Sequence, residues 1–238
     1  MTINLVLGDA RKLLRAVPTG SVDLVVTDPP YSVIGGGNGP SPNPEHKRPS
    51  GMLAANDGKI FPLNDVRFSD YLHDLFRVMR NPSHLYLMVN FLNLESALKE
   101  LRRHGFEVHN LLVARKQNAT PNRWYMKNCE YTILARKGAA FSINDCGSMT
   151  CHDWQNPVGN KSHPTEKSVD LMRLYIENSS QPGQVVLDPF MGTGATALAC
   201  LETGRDFIGF EMDATYYEIA CRRAHVLPSV ITTLGKAS

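Results

Sequence analysis

The chain has 238 residues, 42% hydrophobic and 20% charged, with a formal net charge of +2, which fits one domain (1–238) with a sizeable core. No apolar run approaches the roughly 20 residues that span a bilayer, and the opening MTINLVLGDA has neither the basic region nor the cleavage site of a signal peptide. Five cysteines, an odd number without regular spacing, fit reduced thiols in a cytoplasm better than a disulfide framework.

In chain order, strand-like and helix-like segments alternate. INLVLGD (3–9) and VDLVVTD (22–28) are short β-branched runs, each ending in an acid, and between them ARKLLRAV reads as a helix that Asp9 can cap. DYLHDLFRVMR (70–80) is amphipathic, SHLYLMVN (83–90) is a strand, and LNLESALKELRRHG (92–105) is again amphipathic. EVHNLLVAR (107–115) and YTILAR (131–136) follow with no helical pattern between them, so they are expected to form an antiparallel pair at one edge of a sheet. TEKSVDLMRLYIENSS (165–180), QVVLDPF (184–190), ATALACLETG (195–204) and DFIGFE (206–211) restore the alternation. The fold expected is α/β: a doubly wound, mostly parallel sheet with helices on both faces and an antiparallel pair at its edge.

Two stretches break this rhythm, residues 32–66 and 138–162, rich in Gly, Pro, Asn and Ser. Loops of that length inside a domain are usually functional or disordered. Lys47, Arg48, Lys116, Arg123 and Lys127, with Asn118 among them, gather positive and polar groups in or near irregular segments. Such patches can neutralise phosphates, although solvated loops carry the same composition. Cys146, Cys151 and His152 invite a zinc reading, but no paired spacing supplies four ligands, so no metal is expected.

Two segments carry chemistry. In VVLDPFMGTGATALAC (185–200) a strand passes through a glycine turn into a helix. Gly192 and Gly194 allow a tight turn and close approach of a ligand, and the helix offers free amides. The lysine of a phosphate loop is missing. Glu211, ending the next strand, is placed to take the two hydroxyls of a ribose. The second segment is VVTDPPYSV (25–33), a strand that stops on an acid and two prolines, neither of which can donate to a ladder. An Asp before a proline commonly just starts a turn. Asp28 and the carbonyl of Pro29 could also grip the two hydrogens of an exocyclic amine, with Pro30 keeping that carbonyl still. Tyr31 would then stack on an extruded base.

DPPY (28–31) followed by LDPFMGTGAT (187–196) resembles the S-adenosylmethionine-dependent amino-methyltransferases of DNA, in the β order with the catalytic motif before the cofactor motif. LVLGDARKLL, RKQNATPNRW, CEYTILARKG, HPTEKSVDLM and GRDFIGFEMDATYYEIACRR extend the likeness over nearly the whole chain. The resemblance implies a Rossmann-like sheet in permuted order, S-adenosylmethionine as cofactor, DNA as partner, no membrane, and room for a homodimer that the residues do not themselves derive. It implies that Asp188, Pro189, Phe190, Gly192, Thr193 and Gly194 cradle the methionine and ribose, with Glu211 and Met212 at the ribose hydroxyls. Asp9 and Ala10 would meet the adenine, and His163, Thr165 and Lys167 the amino-acid end, with Asp28 facing the cofactor from the catalytic side. Ser168 stands where the family has proline. The Asp of DPPY resembles the adenine-N6 enzymes, which transfer by direct in-line displacement; cytosine-N4 methylation is the alternative. A catalytically silent cofactor- or DNA-binding module is the alternative of another class, and the two irregular loops are the expected readers of the target.

Overall fold

A computed structural model describes residues 1–30, 66–120, 125–154 and 167–227. Eight strands form one sheet in the order β1 (Ile3–Leu7), β8 (Asp206–Glu211), β7 (Val185–Asp188), β2 (Val22–Thr27), β3 (Met79–Val89), β5 (Lys127–Lys137), β4 (Glu107–Thr120), β6 (Cys151–Trp154). The first five are parallel neighbours; β5 runs antiparallel to β3 and β4, and β6 is parallel to β4. Six α-helices are described, α1 (Ala10–Leu13), α2 (Leu72–Val78), α3 (Leu94–Arg103), α4 (Val169–Ser179), α5 (Ala195–Thr203) and α6 (Ala214–Arg223), with short 3-10 turns at Leu14–Ala16, Phe68–Asp70 and Phe91–Asn93.

Strand alternation sorts the apolar residues into two layers. Leu24, Val26, Tyr86, Met88 and Leu134 pack with α4, α5 and α6, whereas Val25, Leu85, Leu87 and Ile133 pack with α1, α2 and α3. Both faces are thus covered, which is why the parallel strands read as near-continuous apolar runs rather than clean alternations. Gly209 in β8 has a packing reason: a Cβ there would overlap the Phe207 ring and the Met191 sulfur.

The edge differs from expectation. The β4–β5 pair is antiparallel, but β6 lies outside it, so the pair sits one strand in. β6 falls within 138–162, read from sequence as irregular. Its four residues, CHDW, are too few and too polar to show a period, and its pairing depends on the unsatisfied outer edge of the 14-residue β4.

The arrangement also creates a switch point. After β7 the chain crosses to the α4–α6 face through α5, while α2, the first helix described after β2, lies on the opposite face. β2 and β7 are neighbours, Leu24 beside Val186 and Val25 beside Leu187. Connections that diverge in this way leave a crevice outside the carboxyl ends of the strands, where open α/β sheets bind ligands.

Candidate active site

The carboxyl ends of β1, β8, β7 and β2 bring Asp9, Glu211, Asp188 and Asp28 along one rim of the sheet. At β7, Asp188 is 3% exposed and accepts hydrogen bonds from Thr27 Oγ1 (2.7 Å), Thr196 Oγ1 (2.7 Å) and the Phe190 amide (3.1 Å). Burial pushes its carboxyl up to about 6; the three donors work against that shift and the neighbouring Asp28 adds to it. A buried carboxylate whose assigned donors are all uncharged is suited to a cationic partner.

The turn that follows is shaped by two left-handed glycines, Gly192 (φ 54°) and Gly194 (φ 85°), the second being the N-cap of α5. Among the described residues nothing lies within 4 Å of where a Gly192 side chain would begin, so they leave the backbone open there. Across the turn, Arg223 from α6 donates to the Thr193 carbonyl at 2.9 Å. Pro189 and Thr193 are buried and Phe190 is half-buried, its ring meeting that of Tyr71 edge to face with the centroids 4.9 Å apart. Tyr71 is itself buried, its hydroxyl has no hydrogen-bond partner among the described residues, and burial, with Asp28 nearby, pushes its ionisation well up.

Glu211 accepts from the amides of Gly192 (3.0 Å) and Asp213 (2.7 Å), with the Met212 amide also contributing. Burial nevertheless holds its carboxyl above the usual range. The backbone of Gly8 donates to the Glu211 carbonyl at 2.7 Å, joining the β1 end to the β8 end. There Asp9 caps α1 through the Arg11 amide at 2.9 Å and holds the Arg11 guanidinium, which lowers the Asp9 carboxyl; Ala10 is buried beside it. Asp9 therefore does serve as the helix cap considered from sequence.

On the other side of the switch point charge takes over. Asp28 Oδ2 lies 3.1 Å from Lys167 Nζ, and that ammonium lies 3.3 Å from Glu130 Oε2 on β5. Lys116 on β4 pairs with the other Glu130 oxygen. Pro29 is buried and Pro30 half-buried, continuing the line of β2. Lys116, expected to face phosphates, is thus engaged with an acid inside the rim, whereas Lys127 is exposed at the start of β5 and Asn118 lies on β4. Tyr31, Lys47, Arg48, Arg123, His163 and Thr165 lie outside the described residues, as do 32–65 and 155–162 of the two expected loops.

Sequence reasoning did not single out Thr27, Thr196 or Glu130. The two threonines sit within the motifs themselves, one before DPPY and one at the end of GTGAT, so a signal was there to read. Glu130 has no local signal, because its lysines are 14 and 37 positions away.

A protein-family profile described as DNA methylase matches residues 22–222. A type II methyltransferase of Lactococcus lactis subsp. cremoris, M2.LlaDCHI, is 26% identical over 247 residues, covering 92% of this chain and 88% of that protein. Among solved structures, an M1.HpyAVI–SAM complex superposes with a TM-score of 0.72 at 23% identity, covering 94% of this chain and all of that one. The PvuII DNA methyltransferase, described as cytosine-N4-specific, gives a TM-score of 0.71 at 16% identity, over 98% of this chain and 89% of its own.

Proposed function

The chain belongs to the DNA methylase family and is an S-adenosylmethionine-dependent DNA methyltransferase; we propose that its target is the exocyclic N6 amine of adenine, on a base turned out of the duplex. The observation that carries this reading is the juxtaposition, across the β2–β7 switch point, of an acid–proline corner with a glycine turn flanked by Asp188 and Glu211.

The residues fit the cofactor. Asp188, buried among uncharged donors, supports a partner bearing an ammonium. Glu211, already oriented by backbone amides, has acceptor capacity left for a diol, and the open face of Gly192 allows a ligand to lie against the backbone. Asp9 and Ala10, joined to β8 through Gly8, are beside the position this leaves for an adenine ring. The bound cofactor supplies an electrophilic methyl group.

The remaining work is that of the protein. An exocyclic amine on a base is a weak nucleophile, because its lone pair is delocalised into the ring. Two fixed acceptors, the Asp28 carboxylate and the Pro29 carbonyl, hold its hydrogens and favour the tetrahedral nitrogen that reacts. The proline corner fixes that geometry before the substrate arrives. Tyr31 offers its ring to the extruded base.

The Asp at the head of the corner supports adenine. The likeness in fold to a cytosine-N4-specific enzyme favours the second reading, N4 of cytosine, which uses the same chemistry on a smaller ring. Methyl transfer from labelled cofactor to DNA by the wild-type chain and by Asp28→Ala, with the labelled nucleoside identified, tests the assignment. Transfer by the wild type and loss in the variant are expected; two equally inactive proteins would leave a silent binding module.

A further inference from the structure

Lys167 touches the proposed catalytic acid and not only the space beside it. Its ammonium is bracketed by Asp28 Oδ2 at 3.1 Å and Glu130 Oε2 at 3.3 Å, and Lys116 pairs with Glu130 Oε1. The four groups come from the residue after β2, from β4 and β5, and from the residue two before α4, so a strand end, two strands and a helix entrance converge on one point. Their side chains are 22 to 29% exposed, which limits screening by solvent. Signs alternate along the row, Asp–Lys–Glu–Lys, so the cluster is neutral as a whole.

A lysine paired with one carboxylate keeps most of its freedom on a four-carbon stem. A second carboxylate on the far side removes that freedom, and a second lysine stops that carboxylate from turning away. Burial opposes the charges of Glu130 and Lys167, yet Glu130 is held down to about 2 by Lys167 and Lys116, and Lys167 is held above its ordinary value by Asp28 and Glu130.

We propose that Glu130 and Lys116 are positioning residues for methyl transfer: they fix the Lys167 ammonium against Asp28, which sets the orientation of that carboxylate towards the target amine. This rests on Asp28 being the acceptor assigned above. It gives Lys167 a duty at the acid, distinct from the place at the cofactor's amino-acid end that the family resemblance implies. Loss of the first duty lowers the rate at saturating cofactor; loss of the second lowers cofactor affinity.

The full chain is tested as wild type, Glu130→Gln, Glu130→Asp and Lys116→Gln. Calorimetry gives the Kd for S-adenosylmethionine, and single-turnover transfer at saturating cofactor and DNA gives the chemical rate. Glu130→Gln is expected to slow the chemical step on the order of 10- to 100-fold, with the cofactor Kd unchanged within about threefold. Lys116→Gln is expected to lose less in the same direction, and Glu130→Asp to recover part of the rate. Weaker cofactor binding with a wild-type rate at saturation would overturn the proposal, as would variants equal to wild type in both. If Glu130→Gln lacks a cooperative thermal transition, Lys116→Gln decides, since it leaves the Glu130–Lys167 pair standing. A wild-type chain that transfers no methyl group would remove the parent reading, a result distinct from variants that transfer normally.

Discussion

Two carboxylates on the same rim are held in opposite ways. Asp188, on the side proposed for the cofactor, is buried among hydroxyl and amide donors, and burial raises its ionisation to about 6. Glu130, on the side proposed for catalysis, is bracketed by two ammonium groups and lowered to about 2 despite its own burial. The cofactor half is fixed mainly by the backbone and its close neighbours in sequence: Gly192, Gly194 and the amides around Glu211. The catalytic half is tied by charges brought from far apart in the chain. In the proposed function a ligand's charge completes the first, whereas the second is balanced without one.

The sharpest way to separate the halves is a crossed pair of variants. Asp28→Ala is expected to lower the transfer rate by about 10²- to 10⁴-fold while changing the Kd for S-adenosylmethionine by less than about threefold. Glu211→Gln should do the reverse, weakening binding by roughly 10- to 100-fold through poorer diol bonds and retaining most of the rate at saturation. Rate assays at saturating cofactor, paired with calorimetry, check both. If each variant lowered both quantities alike, the division into halves would be wrong.

A smaller effect is expected from pH. Because the Asp188 carboxyl is raised, the native state holds a proton that the unfolded chain has released between about pH 4 and 6. Stability of the cofactor-free protein should therefore decline across that window as pH rises, while affinity for the cofactor ammonium improves as the carboxylate forms. Asp188→Asn should flatten both trends. Glu130 is lowered instead, so its contribution to stability is present above about pH 4.5 and is lost as pH falls towards about 2. Acid unfolding followed by circular dichroism should show a shallower slope in Glu130→Gln over that lower window. Slopes of the same sign for the two sites would contradict the comparison.

The smallest expected change is Gly209→Ala, which forces a methyl group against Phe207 and Met191 and should destabilise by about 1 to 3 kcal/mol, read as a lower midpoint in denaturant.

Much of the cofactor half was legible because its parts are local. DFIGFE matches β8 residue for residue, and the glycine turn sits where the break between QVVLDPF and ATALACLETG put it. The corner proposed as catalytic could be proposed from sequence for the same reason, since Asp28, Pro29 and Pro30 are contiguous. Glu130 was not, because an acid inside a strand has no periodicity and its partners approach only when β2, β4 and β5 assemble. β6 escaped because four polar residues cannot announce a strand. The helix α6 was missed as an element although Asp213 caps it through the Thr215 and Tyr216 amides, a start signal that its aromatic-rich first turn obscured.

DNA treated with the wild-type chain and methyl-labelled S-adenosylmethionine, then digested to nucleosides and separated, shows whether the methyl group goes to an adenine amine. The label is expected in N6-methyladenine, and it is expected to disappear with Asp28→Ala. Label in N4-methylcytosine would contradict the assignment of the base, and unlabelled DNA would contradict the activity.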